Sequence, residues 1–427
     1  LPSSVQIIDD FSFGYCTNLQ TILLNTSIIS IGNSAFYECS KLYNISFPPS
    51  LQIVGSSAFY WCRELTNASF SPNLRIIGTS AFCLCYGLKE IDFSIGVTTI
   101  NESAFRSCSS LKSLIIPSSV ISIGDIAFKS CSNLINVTFQ TGIKNIGNSA
   151  FQDCISITSI NLPEEINFIG QSAFENCKKV QNVTFSNGIV VLESKICRFC
   201  CNMVELTIPE SVEEIKSNAF EYCWSLKSVT IPNSVKSIGI YSFSSCTNLT
   251  KVNFSNNAND ISDYLFYNCT NLDSFIFNSS FSSIGKYSFS KTNFSDFKIT
   301  GEITEISEGA FSSCHKMISI EILANIASID SFAFQNCSSL LLIDLPESLT
   351  FLNQSVFSYC TSLLNITIPN NVISFGKSCF EYCYNLTTIV ISEKVSVFPI
   401  DLFYECTSLI SVVFLGEVTL IEKDCFQ

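Results

Sequence analysis

The side chains with most chemistry to offer are the 22 cysteines and the one histidine. Seventeen of the cysteines recur at one place in a repeating segment, as at Cys16, Cys39, Cys62 and Cys85. In an extracellular protein so many cysteines suggest a disulfide framework. The even spacing argues for something simpler. All members of the column are equivalent, so pairing them alternately would strain a uniform stack. A buried cysteine also packs as a small apolar side chain, and a ladder of reduced thiols is the expectation. The other five are Cys83, Cys197, Cys201, Cys379 and Cys425, of which Cys379 and Cys425 stand where most repeats carry alanine.

The run Cys197-Arg198-Phe199-Cys200-Cys201 contains a C-x-x-C pair, a spacing used by zinc and redox sites. No second pair stands at ligand spacing, and both members fall on inward columns, so neither a metal nor a cofactor is expected. His315 follows Cys314, but a nucleophilic cysteine needs an accessible, electropositive pocket, and Cys314 belongs to the inward column. The motifs of phosphate-cradling loops, zinc peptidases and serine hydrolases are missing. These residues point away from catalysis.

The element that positions them is a repeat. Phe recurs every 23 residues from Phe13, Phe36 and Phe59 to Phe174, and again from Phe220 to Phe289 and from Phe311 to Phe426. Cys197 stands where one Phe is due, and the step from Phe289 to Phe311 is 22 residues. Cys comes three after each Phe, Leu six after, and β-favouring apolar residues nine and eleven after, as at Val137 and Phe139. Pro often follows, then a Val and an Ile three apart, often Gly, and Ala before the next Phe. The I-x-I alternation predicts a short strand with one inward face, ended by proline. The V-x-x-I piece predicts a second extended stretch. The S-A-F-x-x-C piece, with spacing of three between its buried residues, predicts a single helical or 3₁₀ turn. One such coil cannot bury its own apolar side, and stacking it on the next copy does.

At 427 residues two or three domains would be usual, but one period runs throughout, so residues 1–427 are expected to form a single solenoid domain. It begins inside a repeat at Leu1 and stops one residue after a repeat Phe, which suggests a fragment of a longer chain. Irregular repeats are expected near residues 190–205, where Cys replaces Phe, and 289–300, where one residue is missing. Hydrophobic content of 47% with 14% charged residues excludes a disordered chain. The mean hydropathy of +0.36 is high, but the apolar bursts are short and none reaches the roughly 18 residues of a membrane span. The net charge is −13 and the pI about 4.6. With no basic stripe, nucleic acid is not an expected partner, and neither is direct membrane insertion.

Segments such as Ile116-Pro117-Ser118-Ser119-Val120-Ile121-Ser122-Ile123-Gly124, continued through Ala127-Phe128 to Cys131, give the repeat its character. It resembles the BspA-type, or treponemal-type, leucine-rich repeat of surface proteins from some bacteria and parasitic protozoa, and the resemblance covers the whole chain. It implies a leucine-rich-repeat solenoid, mainly β, of about 18 repeats of 23 residues, with parallel strands on a concave face and short helical or 3₁₀ turns opposite. It also implies a cell-surface or secreted adhesin that binds proteins or glycans on other cells or matrix. An intracellular protein-interaction scaffold in the cytoplasm is the alternative. Self-association through uncapped ends or aromatic flanks is a third reading.

Three groups of residues are candidates for such binding. Outward strand positions form a lawn of hydroxyls and amides: Asn136, Thr138, Ser159, Asn161, Asn182, Thr184, Glu205, Thr207, Ser228 and Thr230. Ten of 14 Tyr and both Trp lie one to four residues after the repeat Phe, where four of 23 positions would hold about a sixth by chance. Tyr37, Tyr60, Trp61 and Tyr86 form one group, and Tyr359, Tyr382, Tyr384 and Tyr404 another. Amphipathic aromatics are favoured at interfaces, although rings in this place also fill the groove between coils. Fifteen N-x-S/T sequons occur, and Asn25, Asn101, Asn248, Asn278 and Asn385 are glycosylation candidates.

Overall fold

The I-x-I residues form a short strand in which alternation turns the two apolar residues to the interior and leaves the residue between them, and the one before, in solvent. Asn182–Thr184 pairs in parallel with Glu205–Thr207, and the inward Val183 and Leu206 are buried. Each residue pairs with its equivalent 23 positions on, as in Ser113↔Asn136 and Leu114↔Val137. Pro209 then opens a turn, its carbonyl accepting the Val212 amide at 3.1 Å. A second side is made of two-residue strands with the same register. Eight of them, from Ile7–Ile8 to Phe168–Ile169, form one continuous parallel sheet.

The computed structural model describes residues 1–93, 95–277 and 281–427. The chain winds as a parallel β-solenoid and divides into two compact units. One comprises Leu1–Ile215 with Tyr222–Ser225, the other Lys216–Glu221 with Leu226–Gln427.

The third side corrects the expected helical or 3₁₀ turn, since the described residues contain no helix. Two residues in each coil, four apart, have left-handed backbones: Ser34 (φ 53°) and Glu38 (φ 57°), Ser57 (φ 54°) and Trp61 (φ 62°), Ser355 (φ 53°) and Tyr359 (φ 62°). A helical ladder cannot run through such residues. Their amides turn outward to the next coil. Ser34 donates to the Ser56 carbonyl at 2.8 Å, Phe36 to Ala58 at 2.7 Å and Glu38 to Tyr60 at 2.8 Å. The intervening amides close short turns, Tyr37 to Ser34 at 3.0 Å and Cys39 to Phe36 at 3.1 Å. The spacing of three between buried residues fits this alternation as well as it fits a helix, which is why the periodicity misleads. The third side is therefore another ladder between coils, and it satisfies the backbone that a helix would have satisfied internally.

Phenylalanine rings fill the interior as columns of offset stacks. In the first unit Phe59 and Phe82 have centroids 5.1 Å apart, Phe105 and Phe128 5.5 Å. In the second, Phe334 and Phe357 are 5.7 Å apart, Phe380 and Phe403 5.5 Å. Beside them runs the thiol ladder. Column sulfurs donate to the carbonyl of the ring-column residue one coil back: Cys62 to Phe36 at 3.2 Å, Cys131 to Phe105 at 3.3 Å, Cys269 to Phe243 at 3.1 Å, and Cys223 to Cys197 at 3.3 Å. All 22 cysteines are free, and all but Cys16 are buried. The coils approach so closely at the glycine column that a Cβ on Gly78 would lie 2.5 Å from the Gly55 carbonyl carbon.

The two irregular repeats differ in kind. Through Cys197 the backbone keeps its step, with Val191↔Glu214 in register and Asn176 donating to the Arg198 carbonyl at 2.7 Å. The change there is in side chains: Cys197 is buried in the ring column, and Phe199 lies outside it, its ring 4.5 Å from that of Tyr222. After Phe289 the backbone itself changes. Phe289 donates to Ala310 and Lys291 to Ser312, both at 2.9 Å and 21 residues on instead of 22, and Asn293 donates back to the Leu272 carbonyl at 2.9 Å. Thr292 takes the place of the missing cysteine.

Candidate functional site

The strand face carries the hydroxyl and amide lawn outward, as alternation requires. In the first unit Ser159, Asn182 and Glu205 lie in one row, and Asn161, Thr184 and Thr207 in the next. Asn136, Thr138, Asn161, Asn182, Thr184, Glu205 and Thr207 are exposed and Ser159 half-buried. In the second unit Ser228 pairs with Lys251 and Thr230 with Asn253, whose amide donates to the Thr230 hydroxyl at 3.1 Å. Such a face offers donors and acceptors at the spacing of the strands.

The aromatic flank follows from the loops after each Phe. Tyr37 and Tyr60 stack with centroids 4.9 Å apart, and Tyr15 leans on Tyr37 at 5.3 Å. Arg63 lies 3.7 Å above the Trp61 ring, a cation–π contact. Tyr86 is exposed. In the second unit Tyr382 stacks on Tyr359 at 4.5 Å and meets Tyr404 edge-on at 5.5 Å and Tyr384 at 5.9 Å. Tyr359 and Tyr384 are exposed as Tyr86 is, and Tyr37, Tyr60, Trp61, Tyr382 and Tyr404 are half-buried.

Sequence reasoning missed two features of the loops. Tyr241, Tyr264 and Tyr287 stand in the left-handed column before the Phe and stack at 4.5 and 5.3 Å. Tyr287 also donates to Glu308 at 3.2 Å, and burial, with the Glu308 carboxylate next, pushes its phenol up to about 12. The second is a cleft of about 550 Å³ in the first unit, where Trp224, 46% exposed, faces Phe199, Cys201, Asn176 and Lys178. Asp153 and Glu175 border it, accepting from Asn176 at 2.7 Å and Gln152 at 3.0 Å. A Phe displaced from its column beside Cys197 was the available signal.

The sequons divide by accessibility. The Asn25 amide donates to the carbonyls of Pro2 and Val5, and that of Asn101 to Ile77 at 2.8 Å, so both nitrogens are occupied. Asn248 and Asn385 are exposed. Asn278 lies outside the described residues. His315 and Cys314 do not form a reactive pair: Cys314 is fully buried, and burial pushes its thiol up to about 11. Among the described residues no group of three or more His, Cys, Asp or Glu is placed to hold a metal ion. No helix there is long and apolar enough to cross a membrane.

The chain matches the family model described as the BspA type leucine rich repeat region (6 copies), over residues 1–112, 98–223, 213–340 and 304–427. Among solved structures it is similar to a leucine rich cell surface protein from Faecalibacterium prausnitzii, with 29% identity over 77% of this chain and 83% of that one, at a TM-score of 0.50. It is also similar to a leucine-rich repeat protein from Bacteroides ovatus, with 23% identity, coverage of 98% and 87%, and a TM-score of 0.47. The pneumococcal vaccine antigen PcpA shares 21% identity, with coverage of 79% and 74% and a TM-score of 0.40. None of the curated proteins matches the chain.

Proposed function

The chain belongs to the BspA-type leucine-rich repeat family, and on that premise we propose that it is a non-catalytic recognition ectodomain, on a cell surface or secreted. It holds proteins or glycans of other cells or matrix against its strand face, and residues 1–427 act as one recognition domain. The observation that carries this reading is the in-register pair of rows Ser159–Asn182–Glu205 and Asn161–Thr184–Thr207, all exposed but the half-buried Ser159. Hydroxyls and amides recur there at every coil, and repeat solenoids commonly bind through such extended surfaces. The similarity to the leucine rich cell surface protein from Faecalibacterium prausnitzii supports the location.

The test is attachment of the purified chain to layers of cells and to immobilised matrix proteins. Replacing Asn182, Thr184 and Thr207 with lysine puts three charges on the face and leaves the inward Val183 and Leu206 untouched. Binding is expected to fall about tenfold or more at an unchanged melting temperature. Unchanged attachment would remove this face from the reading.

A cytoplasmic scaffold is the second reading, favoured by the free state of all 22 cysteines, which suits a reducing compartment. Glycans found by mass spectrometry at Asn248 or Asn385 of native material would decide for the first, and their absence together with no staining of intact cells for the second.

A further inference from the structure

We propose that the cleft beside the shortened loop in the second unit binds the anionic group, carboxylate or sulfate, of an acidic glycan. The cleft has a volume of about 510 Å³ and is bordered by Lys291, His315 and Lys316, with Thr270, Asn293 and Asn336 among its polar uncharged groups. It follows from the missing residue. The loop after Phe289 is one residue short, Thr292 stands in for the column cysteine, and the backbone of Asn293 is drawn back to Leu272.

The charge of this place is opposite to that of the chain, which carries −13. In the six consecutive loops that follow Phe243 through Phe357, the six residues after each Phe include no Asp or Glu. They do include Lys291, His315 and Lys316, all three exposed and all three on the cleft. Lys291 is oriented: its ammonium donates to the Tyr267 hydroxyl at 2.9 Å and lies 5.0 Å from that ring's centroid. That leaves further N–H groups for a ligand oxygen. His315 Nδ1 is 3.5 Å from the Ser338 hydroxyl. Two lysines, one of them oriented, without a carboxylate on the cleft wall select for an anion. Amides and hydroxyls, which both donate and accept, match sugar hydroxyls better than they match a second charge. The volume falls in the range of small-ligand sites, roughly 300–1,000 Å³.

This inference deepens the surface-recognition reading by naming a ligand class at a second place, and its experiment uses purified chain and soluble sugars. Failure here would leave the attachment assay on the strand face untouched. Calorimetric titrations of the 427-residue chain use 3′-sialyllactose for the carboxylate, a sulfated heparin disaccharide for the sulfate, lactose as the neutral sugar and a short oligoglutamate peptide.

At least one acidic sugar is expected to bind with a Kd below about 1 mM, and lactose not to bind. Sialyllactose alone would assign a carboxylate, the heparin disaccharide alone a sulfate. The double variant Lys291→Gln, Lys316→Gln should lose about tenfold or more in affinity, while Lys144→Gln with Lys394→Gln, the same change in net charge elsewhere, should lose less than about twofold. Circular dichroism melts of both variants are expected to superimpose on that of the parent. No saturable binding of either acidic sugar, equal losses in the two variants, or binding of the oligoglutamate peptide alone would overturn the proposal.

Discussion

The hydroxyl of Thr292 lies 3.3 Å from the sulfur of Cys314 and donates to the carbonyl of Phe289 at 2.7 Å. The Cys314 thiol reaches the same carbonyl at 3.2 Å. In the coil that lacks a column cysteine the hydroxyl thus turns to its own Phe289, whose carbonyl it shares with the thiol of the next coil. Thr292→Val keeps the shape and removes the donor, so it should lower stability by about 1 kcal/mol. Thr292→Ser should stay within roughly 0.5 kcal/mol of the parent, since its hydroxyl can make the same bond. Urea denaturation of the three proteins measures this, and a valine variant as stable as the parent would mean that the hydroxyl is only filling space.

The ring columns set a second expectation. Phe151 stacks between Phe128 at 5.3 Å and Phe174 at 5.7 Å, and meets Phe139 edge-on at 5.9 Å. Phe151→Ala removes a buried ring from both neighbours and should cost about 3–5 kcal/mol. Cys197 occupies the same column in a coil that has already adapted to a small side chain, so Cys197→Ala should cost no more than about 1 kcal/mol. Equal losses at the two positions, read from the same denaturation curves, would show that the column is not continuous in the way the ring distances imply.

Ile126 offers a stabilising change. Its φ is 50°, in the left-handed region, where a β-branched residue is an outlier. Ser is the commonest residue there, and one coil places Asn218, at φ 60°. The side chain of Ile126 is only half-buried, so little packing is lost when it is replaced. Ile126→Asn should raise stability by roughly 1 kcal/mol and move the thermal midpoint upward. A lower midpoint would mean that burial of the isoleucine outweighs its backbone cost.

Much of this molecule was legible because every coil repeats the same solution. Phe, Cys, Leu and Ile at fixed offsets identify the interior, and alternation about Val183 and Leu206 identifies which of Asn182, Thr184, Glu205 and Thr207 face solvent. The left-handed pairs were not legible. Ser34 and Glu38 are residues that helices accept, and the choice of an inter-coil ladder over a helix is made by the neighbouring coils, not by local preference. The clefts were hidden for a similar reason. Phe199 and Trp224, or Lys291 and Lys316, lie in different coils, and only the stacking register brings them to one place.

The thiol ladder makes stability depend on pH in a definite direction. Burial pushes the thiols of Cys39 and Cys314 up to about 11, and those of Cys269 and Cys360 to about 12. In the unfolded chain these groups titrate near the ordinary cysteine value of about 8.5–9. Between those limits the folded protein holds more protons than the unfolded one, so stability falls as pH rises. The stabilisation is fully present below about pH 8.5 and is lost progressively through the folded-state values. Denaturation midpoints measured from about pH 7 to 10.5 should therefore be flat at first and then decline. The same asymmetry governs reactivity. Thiolate is the reactive form, and Cys16 is the one exposed cysteine, so a thiol reagent at about pH 8 should label one site rapidly in the native chain, and the remaining 21 of 22 only after denaturation. Rapid labelling of several sites in the folded protein, with no decline in stability above pH 9, would mean that the column sulfurs are open to water and are not the buried spine the hydrogen bonds describe.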